Sequence, residues 1–224
     1  TVAAAVALAV DGDTVVVGDG THVIATNWLT IDKGISLIGT NGPSPAVLKA
    51  GYSVSDQRGV LEVNHADALV AGFTIRDGNY KYMDVGAGVN LRAGTVSNCT
   101  ITACTGVQHG AVRMWGGLMT HCKVVDNGSA SGGSDRKGGG AYLTGGTIQF
   151  CDFIGNYAPR GGGVCMENAS AVVRDCRFFG NTNNGSWDGG GIYMNAGLVD
   201  RCIFATNNAA NYGGGLEVQG GLVR

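Results

Sequence analysis

Two columns of residues in this 224-residue chain could do chemistry. The first is Cys99, Cys122, Cys151, Cys176 and Cys202, thiols that recur at steps of 23 to 29 residues. Thiols can hold a soft metal or pair as disulfides. No CxxC spacing accompanies them, and the one histidine beside the column is His121, so a zinc site has no support. Parallel side-by-side rungs also fit disulfide torsions poorly. The column therefore reads as a stack of buried thiols, each acting as a small hydrophobe. Cys104 and Cys165 fall off it. Cys165 is expected to point outward and to be the most reactive thiol.

The second column is Glu62, Asn90, Arg113, Tyr142, Cys165, Tyr193 and Glu217, at steps of 23 to 29 residues. Each is the middle of an apolar–x–apolar triplet, so alternation sends it away from the core. Asn90, Arg113, Tyr142, Tyr193 and Glu217 are the candidate ligand-binding residues: flat aromatic faces beside Arg, Asn and Glu hydrogen bonds suit sugars. The bland alternative is a polar strand face whose tyrosines pack across rungs. An enzyme needs an acid–base pair. Arg113 with Tyr142, or Glu217 with Tyr193, could be drawn into one, but no Asp-Asp pair occurs. A lone His109-Gly110 carries no weight, and Ser134-Asp135-Arg136-Lys137 reads as a solvated loop tip.

No cofactor or metal is expected. Asp11-Gly12-Asp13 lacks the further carboxylates of a calcium loop and reads as a turn. The glycine strings precede no helix, which argues against a nucleotide site. Sequons at Asn98, Asn127, Asn168 and Asn184 are what a turn-rich chain generates by chance.

These residues must be positioned by repeats. The triplets run from Leu61-Glu62-Val63 through Val164-Cys165-Met166 to Leu216-Glu217-Val218. A second apolar–x–apolar set follows seven to eleven residues later, beginning at Phe73 or at one of the stacked cysteines. Val70, Val96, Met119, Ile148, Val173 and Val199 lie three residues ahead of it. Asn127, Asn156, Asn181 and Asn207 open the variable stretches, where their amides can bond the coils above and below. Three short strands per repeat, with insertions confined to one corner, predict an all-β, right-handed parallel β-helix in which stacking buries what one coil cannot. Val2–Ala9 predicts a short helix that caps the stack, and Thr14–Val17 a buried strand. The whole of 1–224 forms one domain, with a capping helix in 1–10, opening coils in 13–58 and repeats in 59–224. The chain stops one apolar step into a new coil, which implies continuation in a longer protein or end-to-end self-association.

Composition agrees with this. Forty glycines without a G-X-Y period exclude collagen, and 44% apolar content argues against disorder. A net charge of -2 with no long basic run gives no hint of nucleic acid. No apolar run is long enough to span a membrane.

The opening AVALAVDGDTVVVGDGTHVI and KGISLIGTNG resemble the first coils of the pectin-lyase-like superfamily of right-handed β-helices. The repeats resemble those of chlamydial polymorphic outer-membrane proteins, which carry GGA and FxxN motifs. Here these are Gly139-Gly140-Ala141, Gly162-Gly163-Val164, Gly190-Gly191-Ile192 and Gly214-Gly215-Leu216, with Phe153…Asn156, Phe178…Asn181 and Phe204…Asn207. GGG mostly replaces GGA, and no membrane barrel is present. The resemblance implies a secreted or cell-surface solenoid, often an adhesin, and places a carbohydrate groove on the triplet face. Polygalacturonase motifs such as Asn-Thr-Asp and Arg-Ile-Lys are not found. The expected function is a non-catalytic adhesin- or scaffold-like module that binds polysaccharide or cell-surface glycan. The alternatives are a polysaccharide lyase or glycoside hydrolase on the same face, or a filament subunit.

Overall fold

A computed structural model describes residues 1–25, 27–51, 59–80, 84–129, 136–183, 185 and 188–224. The expected loop at Ser53–Arg58, the Ser134-Asp135 part of the charged loop and the Asn184 sequon lie outside the described residues. The rest is an all-β parallel solenoid with one short helix at Val2–Leu8.

Every strand pairs in parallel with its equivalent one coil away. A nine-stranded sheet contains the apolar steps, as in Thr95–Ser97 and Thr147–Gln149. An eight-stranded sheet follows it around the coil, as in Thr100–Thr102 and Asp152–Ile154. A second eight-stranded sheet carries the triplets, as in Val112–Met114 and Ala141–Leu143. Outer triplet residues are buried in the core, as period-2 alternation requires, except in the last triplet, where Leu216 is half-buried and Val218 exposed.

Three features were not anticipated. Ala46–Ala50 is a strand with alternating burial, although Pro43 and Pro45 make its approach look like loop. A five-stranded sheet of two-residue strands, among them Gly128–Ser129 and Tyr157–Ala158, adds a fourth side to the coil. Thr14–Val17 is not uniformly buried: Val17 faces the core while Val16 is exposed.

The second set of strands begins one residue later than expected. Asn98, His121, Phe150, Asp175 and Arg201, which precede the cysteines, have φ between 46° and 53°. This left-handed residue turns the chain from the nine-stranded sheet into the next one and drops each cysteine into the interior.

The interior is built of like-on-like ladders. Phe153, Phe178 and Phe204 stack at 5.0 and 5.1 Å between centroids. Beside them Asn127, Asn156 and Asn181 are fully buried, and each Nδ2 donates to the next Asn Oδ1 at 2.9–3.1 Å. The cysteine column is buried as expected, apart from the half-buried Cys202. The glycine pairs permit this spacing. A Cβ on Gly162 would lie 2.5 Å from the Thr182 carbonyl oxygen, and one on Gly163 would lie 2.5 Å from that of Gly191.

The helix closes one end of the core with Val2 and Val6. Its last carbonyls are satisfied by a cation from another coil: Lys33 Nζ donates to Ala7 O at 2.9 Å and to Ala9 O at 2.7 Å. The sequon residue Asn127 belongs to the buried ladder, so it presents no acceptor amide at the surface.

Candidate functional site

Strand register puts Glu62, Asn90, Arg113, Tyr142, Cys165, Tyr193 and Glu217 side by side in one continuous column. All point away from the core. The chain preceding each triplet then folds over the middle of the column, so outward does not mean exposed. Asn90 is 1% exposed, Arg113 3% and Tyr142 9%. Tyr193 and Glu217 are half-buried.

Asn90 has a local task, its Oδ1 accepting from Gly86 N at 3.0 Å. Arg113 organises the centre. Its Nη1 donates to Met114 O at 2.8 Å and to Thr144 Oγ1 at 2.9 Å, and its Nε to Asp84 Oδ1 at 3.2 Å. The guanidinium lies 4.1 Å from the Trp115 ring centroid and 4.5 Å from that of Tyr142. Arg92 lies 4.2 Å from the Trp115 centroid and binds Glu62 at 2.9 Å. His109 stacks on Tyr142 at 4.0 Å. Arg92, Trp115, Arg113 and Tyr142 thus form a row of alternating cations and rings that ends on the neutral ring of His109.

The row continues through an ion pair and a further cation–ring contact. Lys137 Nζ is 2.7 Å from Glu167 Oε1, and Arg160 lies 5.0 Å over the Tyr193 ring. Asn195 Nδ2 donates to the other Glu167 oxygen at 3.1 Å. Tyr142 and Tyr193 do not form one platform, because the Cys165 rung separates them. Glu217 lies one rung beyond Tyr193 and accepts from Gln219 at 2.9 Å.

Burial sets the electrostatics. It pushes the Tyr142 hydroxyl up to about 12, with Glu167 adding to the effect, so the phenol stays protonated. Burial, and then the Arg113 charge, lower His109 to about 4 despite the opposing Asp84, so the imidazole is neutral at pH 7. Its Nε2 lies 3.5 Å from Asp84 Oδ1, while Nδ1 is buried with no partner among the described residues.

The expectation for Cys165 is overturned. Its side chain does leave the core, but it is 0% exposed, and its Sγ lies 3.8 Å from Glu167 Oε1. Burial, and next the Glu167 carboxylate, hold the thiol well above its ordinary range. Iodoacetamide is expected to leave Cys165 unmodified in the native protein and to label it after unfolding, read by peptide mass mapping. Rapid native labelling would contradict this burial.

Trp115, Arg92 and Glu167 were not singled out from the sequence, although a signal for them exists. Each stands two residues after a triplet middle, and residues i and i+2 of a strand share a face. Lys137 and Arg160 carry a different signal: each stands four residues before its triplet, and parallel bridges hold His109, Lys137 and Arg160 in register. Lys137, expected at a solvated loop tip, is instead half-buried and paired with Glu167. A lone histidine such as His109 does not by itself signal the ring contact it makes with Tyr142. Among the described residues, no three His, Cys, Asp or Glu side chains are grouped to hold a metal ion. No described helix is long and apolar enough to cross a membrane.

Fold and site together define a parallel β-solenoid repeat protein with a charged, aromatic-lined triplet face. No family model, curated protein or solved structure matches the chain.

Proposed function

We propose that this solenoid is a non-catalytic glycan-binding module, adhesin- or scaffold-like, that works outside the cell or at its surface. The observation that carries the reading is the row Arg92–Trp115–Arg113–Tyr142–His109. A sugar presents apolar C–H faces and a rim of hydroxyls. Rings held rigid beside guanidinium and carboxylate groups match both without an ordering cost at binding. Trp115, Arg92 and Tyr193 remain partly accessible along the row and offer the contact surface.

Fixed partners argue for binding over turnover. Arg113 is engaged by Asp84, Met114 and Thr144, and Tyr142 is held protonated. The likeness of the repeats to chlamydial surface passengers, and of the opening coils to pectin-lyase-like β-helices, supports extracellular display and a carbohydrate ligand. One observation favours a lyase instead: Asp84, His109 and Tyr142 lie within one contact shell, as an acid–base group would.

Polysaccharide depletion and a glycan array on the purified chain test both readings. Trp115→Ala is expected to weaken binding by about tenfold or more, the loss of one aromatic anchor, with the fold retained and the thermal transition only modestly lowered by the lost Arg92 and Arg113 contacts. Equal retention by wild type and Trp115→Ala would count against this face. Shortened polymer with new ultraviolet-absorbing unsaturated ends would replace the binding reading with the lyase one.

A further inference from the structure

A second candidate site lies on another side of the coil, at the corner between the nine-stranded sheet and the strands that follow it. His121 and Phe150 occupy the left-handed corner position in adjacent coils, and their rings stack at 5.2 Å with an interplanar angle of 29°. Phe150 is 50% exposed. The equivalent positions in neighbouring coils hold Asn98, Asp175 and Arg201, polar residues suited to a solvated turn. A half-exposed phenylalanine at φ 52° contributes little to the core and is unfavourable for the backbone.

The ring pair borders a surface depression of about 330 Å3, whose polar side is formed by Lys123, Asp152, Asp175 and Arg177. Its carboxylates are fixed by bidentate pairs. Arg177 donates to both oxygens of Asp152 at 2.6 and 2.7 Å, and Arg201 to both of Asp175 at 2.8 Å. His121 is oriented through a 2.9 Å contact of Nδ1 with Thr120 Oγ1. The two lysine and arginine charges in the lining equal the two aspartate charges, so the depression favours no ionic ligand. It offers an apolar platform with fixed donors and acceptors at its edge.

We propose that this corner is a subsite for a neutral hexopyranoside. The sugar's C–H face lies on Phe150 and His121, and its hydroxyls reach the Asp152–Arg177 pair and Asp175. The volume admits about one ring, which makes this a weak subsite for a terminal or branching sugar. It does not depend on the triplet face, from which it is separated by a different set of strands.

Saturation-transfer NMR with methyl glucoside, methyl galactoside and methyl mannoside tests it on the whole chain. At least one glycoside is expected to receive saturation from the wild type. Phe150→Asn places a residue tolerant of positive φ at the corner, so it is expected to keep the melting temperature while weakening binding by about tenfold. His121→Ala is expected to weaken it in the same direction. Trp115→Ala is expected to leave this signal intact, which separates it from failure of the triplet-face reading. The proposal is overturned if none of the three glycosides receives saturation, if Phe150→Asn binds as the wild type does, or if Trp115→Ala abolishes the signal.

Discussion

Asn156→Ala is expected to destabilise the solenoid by about 4 kcal/mol, from two or three buried polar groups each left unpaired at about 1–3 kcal/mol. Asn156 Nδ2 donates to Val124 O at 2.8 Å and to Asn181 Oδ1 at 3.0 Å. Its Oδ1 accepts from Asn127 N and Asn127 Nδ2, both at 3.1 Å. Alanine removes all of these, and water has no access, since Asn127, Asn156 and Asn181 are fully buried. Asn181 Oδ1 retains the Asn156 amide at 3.1 Å, so the damage falls mainly on the Asn127 side. In a stacked array such damage is local to one interface. Urea denaturation should show the loss, and hydrogen exchange should rise first at the Asn127 amide. Asn195→Ala, which removes an exposed hydrogen bond, serves as the control and is expected to stay within about 0.5 kcal/mol. Equal effects of the two substitutions would mean that the ladder is not a main support of the stack.

That ladder was legible because its residues recur at a fixed place in each coil, after the Phe of Phe–x–x–Asn. The core triplets were legible for the same reason. Two apolar residues around a polar one are enough to define a three-residue strand when the pattern returns every coil. The fourth sheet was not legible. Its strands, such as Gly128–Ser129 and Thr182–Asn183, are two residues long and carry no apolar alternation. Their pairing is imposed by the neighbouring coils.

The candidate site shows the same division. Alternation placed Arg113, Tyr142 and Cys165 on the side away from the core, and the register agrees. Their burial depends on what the glycine-rich segments ahead of each triplet do. Those segments lie against their counterparts through backbone contacts, Gly139 N to Gly161 O at 3.1 Å and Gly162 N to Gly189 O at 3.0 Å. Glycine has no side chain to signal which way it turns, so exposure on this face could not be read from the triplets. The reactivity assigned to Cys165 failed there. His109 became interpretable only when the fold brought it onto the ring of Tyr142, a residue of the next coil.

His109 also makes stability depend on pH. The groups that bear on it are Asp84, Arg113, Lys137 and Tyr142. Burial and the Arg113 charge disfavour the imidazolium, lowering the folded pKa to about 4 from the ordinary 6.5. Above pH 6.5 neither the folded nor the unfolded state binds the proton, and the full stability is present. As pH falls from 6.5 to 4 the unfolded chain takes up the proton and the folded one does not, so stability is lost. Below the folded value both states are protonated, and this loss saturates at about 3 kcal/mol. Denaturation of wild type and His109→Gln across this window isolates the group, because acid titration of the carboxylates is common to both. The wild type is expected to fall more steeply, with the difference developing between pH 6.5 and 4. The imidazole proton resonance of His109 in the native protein should remain that of the neutral ring until pH approaches 4. A His109 resonance that titrates near 6.5, or parallel stability curves, would mean that water reaches the ring and that the triplet face is more open than its packing indicates.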